Sequence, residues 1–216
     1  MDGTLVDTEP YWMAAETALV ESYGGSWTHD DALQLVGNGL IDSAIILQNA
    51  GVDMAAEAII SRLTDAVQEA LRTQGVPFRP GARELLHDLR ATGIRTGLVT
   101  MSLRRMALGV VDLIDFEAFD IVVAGDDVKN SKPHPEPYLQ AAALLGVDIS
   151  DTVVIEDSPT GLRAGIASGA VALGVPHIVS LDGVGAHELW PTLAERGASD
   201  IADLFTRLTS LTGATR

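Results

Sequence analysis

Four short segments of this chain hold residue types that can do chemistry on an anion. In Val154-Ile155-Glu156-Asp157-Ser158-Pro159-Thr160-Gly161, two adjacent carboxylates leave an apolar run and precede a helix start. Side chains alternate along an extended chain, so one carboxylate can face a ligand while its neighbour braces it from behind. Hard oxygen donors of this kind suit Mg²⁺, and the same pattern also describes a solvated turn with a helix cap. In Lys132-Pro133-His134-Pro135-Glu136-Pro137, prolines stiffen a loop that can hold the Lys132 charge against a phosphate or carboxylate, or can be a plain rigid connector. His134, with a proline on each side, is expected to be structural. Thr100, with Met101 and Ser102 behind it, follows the apolar run Gly97-Leu98-Val99. A hydroxyl and the next backbone N–H at such a junction can hold an anion or simply cap a helix. Asp2, Thr4 and Asp7 share a glycine-containing segment before the first helix. There Asp2 can exchange a proton with a leaving oxygen, or can belong to a frayed terminus.

The elements that must position these residues change character along the chain. Residues 9–75 read as helices, with apolar spacing at Trp12, Ala15, Leu19 and Val20 and again at Ile59, Leu63, Val67 and Leu71. Gly24-Gly25, Gly37-Asn38-Gly39 and Gly51 punctuate them. From Pro80 onward, apolar runs alternate with amphipathic segments. The expected strands are Ile94–Val99, Phe119–Ala124, Thr152–Ile155 and Ala170–Leu173. Helices are expected over Ala82–Ala91, from Pro135 to Leu145 with Gly146 as its stop, after Pro159, and after Asp200 as a cap for Ile201, Leu204, Phe205 and Leu208. Such alternation predicts a parallel sheet covered on both faces, with ligands at the carboxyl ends of its strands. Thr100, Asp126, Lys132 and Asp157 can converge there.

Fourteen basic residues against thirty acidic ones give a net charge of −16. That repels nucleic acid and anionic membrane surfaces, so neither is expected as a partner. With no cysteine, a disulfide framework and a thiolate nucleophile are excluded. No cationic segment followed by an apolar run begins the chain, and no apolar run is long enough for a bilayer, so a cytoplasmic protein is expected. A monomer is expected, with a dimer as the alternative.

Taken together, the segments resemble the haloacid-dehalogenase-like hydrolases, in the branch with a helical cap inserted after the first motif. Asp2-Gly3-Thr4-Leu5-Val6-Asp7 resembles the back half of motif one, Thr100 motif two, Lys132 in Lys132-Pro133-His134-Pro135 motif three, and Glu156-Asp157 motif four. The resemblance implies an α/β fold: a three-layer Rossmann-type parallel-sheet core over residues 1–8 and 76–216, with an all-helical cap over 9–75. It implies a Mg²⁺-dependent phosphomonoester hydrolase for a small phosphorylated metabolite such as a sugar phosphate, working through an aspartyl-phosphate. Asp2 would be the general acid and base, its carbonyl binding Mg²⁺. Thr100, the Met101 amide and Ser102 would hold the phosphoryl group, Lys132 would offset its charge, and Asp157 would ligate Mg²⁺ with support from Glu156. Asn38 in the cap loop and Trp12 would face substrate, Trp12 also being a candidate for cap core. Phosphoglucomutase-like relatives carry a histidine and an arginine where this chain has Trp12 and Leu40, which favours a phosphatase over a mutase of the beta-phosphoglucomutase type. The family's attacking Asp would stand immediately before Met1. The expectation is therefore a native protein that begins several residues upstream with an apolar strand ending in Asp, and impaired catalysis by residues 1–216 alone. A noncatalytic phosphometabolite-binding paralogue is the alternative.

Overall fold

The computed structural model describes residues 1–213; residues 214–216 of the expected core lie outside it. The helical part comprises α1 (Glu9–Ser22), α2 (His29–Leu33), α3 (Leu40–Asn49) and α4 (Ala56–Gln74). Leu19, Val20, Leu35, Ala44, Leu47, Ile59 and Leu63 form its own buried cluster. In α4, Ile59, Leu63, Val67 and Leu71 recur every fourth residue and make one buried stripe. Ile59 and Leu63 enter the cap cluster, whereas Val67 and Leu71 enter the cluster of the α/β part. One helix thus ties the two parts together, each of these side chains contributing about 2 kcal/mol of apolar burial.

The α/β part follows with α5 (Ala82–Ala91), β1 (Gly97–Val99), α6 (Arg104–Val111), β2 (Ile121–Val123), α7 (Glu136–Leu145), β3 (Val153–Glu156), α8 (Pro159–Ser168), β4 (Val171–Gly174), β5 (Glu188–Leu189) and α9 (Ala198–Gly213). Every strand pair among the described residues is parallel: β1 with β2, then β3 with β4 and β4 with β5. It is a mixed α/β core with a parallel sheet and an inserted helical cap. The first two expected runs shorten by three residues each, to Gly97–Val99 and Ile121–Val123, while the last two keep their length and shift one residue onward, to Val153–Glu156 and Val171–Gly174.

Three local expectations need correction. Asp200 does not cap α9 from outside. It sits in the first turn, and its carboxylate accepts the Gly197 N–H at 2.9 Å. Asp126 does not join the candidate site, because its carboxylate accepts the Arg104 N–H at 2.7 Å and so secures the start of α6. Helix α6 itself was not expected. Its Gly109 interrupts the pattern where the helix faces α4, and a Cβ there would meet only the flexible Gln68 amide, at 3.0 Å.

The strands form two sheets rather than one. A cavity of about 540 Å³ is lined by both β1 and β3, with Leu85, Leu89, Phe119 and Phe205 among its walls. β1 pairs only with β2 and β3 only with β4 among the described residues, so both present an unpaired edge.

Candidate active site

The first segment returns on itself tightly. Gly3 has φ of +75°, and a Cβ there would fall 2.0 Å from Asp157 Oδ2. Glycine is therefore required both for the backbone turn and for the approach of Asp157. The next residue fixes that carboxylate: Thr4 Oγ1 donates to Asp157 Oδ1 at 2.6 Å. Asp2 is held from two sides, by the Thr8 hydroxyl at 2.5 Å on Oδ1 and by the Ser102 hydroxyl at 2.7 Å on Oδ2.

Ser102 belongs to the turn after β1. Thr100 continues the ladder by donating its N–H to Val123 O at 2.9 Å, and its hydroxyl accepts the Ser102 N–H at 3.1 Å. Thr100 and Ser102 are both buried. Gly125 packs beneath this turn, where a Cβ would come within 2.3 Å of the Met101 carbonyl oxygen. The close approach requires glycine, and the Gly125 N–H donates to Ser102 O at 2.9 Å to tie the turn down.

Lys132 reaches the same place from its proline-stiffened loop, in which the Lys132–Pro133 peptide is cis. Its Nζ lies 2.6 Å from Glu156 Oε1 and 3.0 Å from Val99 O, and 4.7 Å above the Tyr138 ring. The Tyr138 hydroxyl donates to the same Glu156 oxygen. Burial would raise the Glu156 carboxyl, but Lys132, the amino group of Met1 and the Tyr138 hydroxyl together hold the group below its ordinary value. Burial, with the neighbouring Glu156 charge, pushes the Tyr138 phenol up. Burial and then the Glu156 charge push Asp157 up to about 6.

Asp2, Thr100, Met101, Ser102, Lys132, Glu156 and Asp157 are thus gathered at the carboxyl ends of β1 and β3. Asn38 is not part of this gathering, since its side-chain amide donates to Gln34 O at 2.8 Å within the cap. Trp12 packs against the cap cluster and the α/β cluster together. His134 has a local structural bond, its Nδ1 accepting the Glu136 N–H at 3.1 Å.

Two groups escaped the sequence reading. Glu9, at the start of α1, has its carboxyl pushed up to about 7 by burial and by the charges of Asp2, Glu16, Asp157 and Asp7. The acidic residue after Thr8 was a visible signal, but nothing in its spacing tells that it turns inward. His177 Nε2 lies 3.0 Å from Asp7 Oδ1, and Arg79 donates to Pro176 O at 3.3 Å. The loop after β4 thereby grips both chain segments that connect cap to core. No sequence pattern links residues 170 positions apart.

The donor chemistry fits a hard divalent cation. Asp157 is an oxygen donor beside other acids, and its carboxyl is raised first by burial and then by the neighbouring Glu156 charge. Glu156 has its Oε1 committed to Lys132 and Tyr138, and its Oε2 lies 3.4 Å from the Ser158 hydroxyl. Among the described residues, no group of three or more His, Cys, Asp and Glu side chains forms a metal cluster by itself.

Acids, a buried lysine and a hydroxyl turn at the open end of a parallel sheet, roofed by a helical cap, define a hydrolase-type centre for anionic substrates. The sequence matches the family of haloacid dehalogenase-like hydrolases over residues 1–175, and the chain belongs to it. It is 34% identical over 180 residues to the phosphorylated carbohydrates phosphatase of Thermotoga maritima, covering 82% of this chain and 83% of that protein. It is 32% identical over 184 residues to hexitol phosphatase B of Escherichia coli K12, covering 82% and 81%. Among solved structures, CbbY from Rhodobacter sphaeroides in complex with phosphate superimposes with a TM-score of 0.81 at 26% identity, covering 94% of this chain and 96% of that one.

Proposed function

We propose that this chain is the scaffold of a Mg²⁺-dependent phosphatase for a small phosphorylated carbohydrate. The observation that carries the reading is the meeting of Asp2, the Thr100–Ser102 turn, Lys132 and Asp157 at one sheet edge. The activities of the two phosphatase relatives support the substrate class.

The roles follow from position. The Thr100 hydroxyl and the Met101 amide face the transferring phosphoryl group, and Lys132 offsets its negative charge. An alkoxide leaves poorly, so Asp2, steadied by Thr8 and Ser102, gives it a proton and then withdraws one from water. Asp157 holds the cation, which when bound supplies the remaining charge compensation. The attacking carboxylate splits hydrolysis into two steps: an oxygen–phosphorus bond forms to it as the ester bond breaks, and water later releases phosphate. We place that carboxylate at the end of a parallel strand filling the cavity between β1 and β3, whose two facing edges are unpaired and whose walls are apolar. Such a strand would deliver its last side chain beside Asp2 and Lys132.

Phosphate release from a panel of sugar and alditol phosphates with Mg²⁺ tests the reading. No release from any of them by folded protein carrying that strand would refute it. A mutase is disfavoured because Trp12 and Leu40 cannot perform ionic roles in the cap.

A further inference from the structure

Among the described residues, every side-chain hydrogen bond and ion pair that joins helices α1–α4 to the α/β part runs through Arg105, in the first turn of α6. Its Nη1 donates to Asp65 Oδ1 at 2.5 Å and to Gln68 Oε1 at 2.7 Å. Its Nη2 donates to Ser61 O at 3.0 Å and to Ser61 Oγ at 3.2 Å. Gln68 answers, its Nε2 donating to Arg105 O at 2.9 Å. Ser61, Asp65 and Gln68 stand at i, i+4 and i+7 on α4, so the guanidinium grips two turns of one stripe of that helix.

The rest of the seam is apolar. Val67 and Leu71 of α4 enter the α/β cluster, Leu103 packs against the cap cluster, and Trp12 and Ala15 pack against both. Apolar burial is non-directional, so it holds the cap on the core without fixing the angle between them. A planar guanidinium, with its donors in a rigid fork, accepts few arrangements of its acceptors. The attraction itself is weak, because the Arg105 and Asp65 side chains are 39% and 65% exposed and water screens the pair. What Arg105 supplies is direction.

The base from which it reaches is firm. The preceding Arg104 binds into the core, its guanidinium meeting Asp127 at 2.9 and 2.7 Å and Val122 O at 3.1 Å, while its N–H is held by Asp126. Two successive arginines thus bracket the start of α6 between core and cap. Arg105 lies three residues beyond Ser102, so the orientation it imposes is referred directly to the turn that faces the phosphoryl group.

We propose that Arg105 is the positioning residue that sets the angle of the cap over the Thr100–Ser102 turn, with the Gln68 amide as its reciprocal partner. Without the fork, the apolar seam persists and the cap rocks on it. This goes beyond the phosphatase reading and does not depend on it.

The test is electron–electron resonance distance measurement on the full chain. The chain has no cysteine, so spin labels attach only at introduced sites, Asp42→Cys on α3 and Asp203→Cys on α9, both exposed. Within this labelled background the comparison is between no further change, Arg105→Met, Arg105→Lys and Arg72→Met, with Tm measured alongside. Arg72 is the control, because its pair with Glu69 stays within α4. The expected result is one narrow distance distribution with Arg105 in place and a distribution at least threefold broader in Arg105→Met. Arg105→Lys, which keeps the charge but not the fork, should fall between them, and Arg72→Met should match the unaltered background. An Arg105→Met distribution as narrow as the background, or a background already as broad as the variant, would overturn the proposal. So would equal broadening in Arg72→Met. A lowered Tm in Arg105→Met with unmoved distances would also overturn it, since Arg105 would then only add stability.

Discussion

Lys132 Nζ and Glu156 Oε1 stand 2.6 Å apart, and each side chain is only 8% exposed. Lys132 is also fixed by Val99 O and by the Tyr138 ring, so the ammonium is aimed before any substrate arrives. Preorganised charge of this kind stabilises an anionic transition state without reorganisation at the moment of reaction.

Breaking this pair from one side should be costly. Lys132→Met leaves Glu156 charged, buried and uncompensated, and should destabilise the fold by about 3–5 kcal/mol in urea titration. The double variant Lys132→Met/Glu156→Gln should recover much of that loss, because no buried charge remains. Equal loss in single and double variants would mean that the pair is not coupled.

Gly3 supplies a sharper steric test. Gly3→Ala puts a methyl group on top of Asp157 at a left-handed φ of +75°. The strain should cost about 2 kcal/mol, and the displaced carboxylate should bind Mg²⁺ more weakly. Thermal unfolding and Mg²⁺ titration check the two effects separately. Unaltered values in both would show that the Gly3–Asp157 approach is not required.

Asp157→Asn should weaken Mg²⁺ binding at least a hundredfold by calorimetry, since the hard anionic donor is lost while the amide oxygen can still accept from Thr4. Retained affinity would assign the cation to other groups.

Glu16 should impose a pH dependence on stability. Its folded carboxyl is raised to about 7 from an ordinary 4.5, so between those pH values the folded chain holds a proton that the unfolded chain has lost. Its contribution to stability therefore falls as pH rises through that window and is flat above it, a swing of ~3 kcal/mol at most. Glu16→Gln should remove this slope from the pH–stability profile. A variant profile parallel to wild type would contradict the assignment.

Much of this arrangement was legible in the residue pattern. Apolar runs ending at Val99 and Ile155 and the glycine stop at Gly146 locate the alternation of strands and helices by period and turn chemistry alone. Thr100, Lys132 and Asp157 follow from the rule that ligands gather at the carboxyl ends of parallel strands; the same rule brought in Asp126, which instead secures the start of α6, and Asp2 came from the resemblance of its segment to motif one. Tyr138 did not follow, because a tyrosine on an apolar helix face reads as core until its hydroxyl is seen to meet Glu156. Glu9 and Glu16 carry no mark in the sequence that separates them from the other acids of α1. Their inward turn depends on how the cap seats on the core, a tertiary relation with no local signature. The Asp7–His177 contact is unreadable for the same reason.

The central claim is that phosphoryl transfer uses an attacking carboxylate immediately before Met1, with Asp2 as its proton partner. The most direct measurement is Mg²⁺-dependent phosphate release by protein carrying an apolar strand ending in Asp joined ahead of Met1, compared with residues 1–216 alone, with the same extension ending in Asn, and with Asp2→Asn in the extended protein. The account predicts turnover in the extended protein, and at least a thousandfold less in the other three. Comparable turnover by residues 1–216 alone, or by the protein extended with Asn, would contradict it.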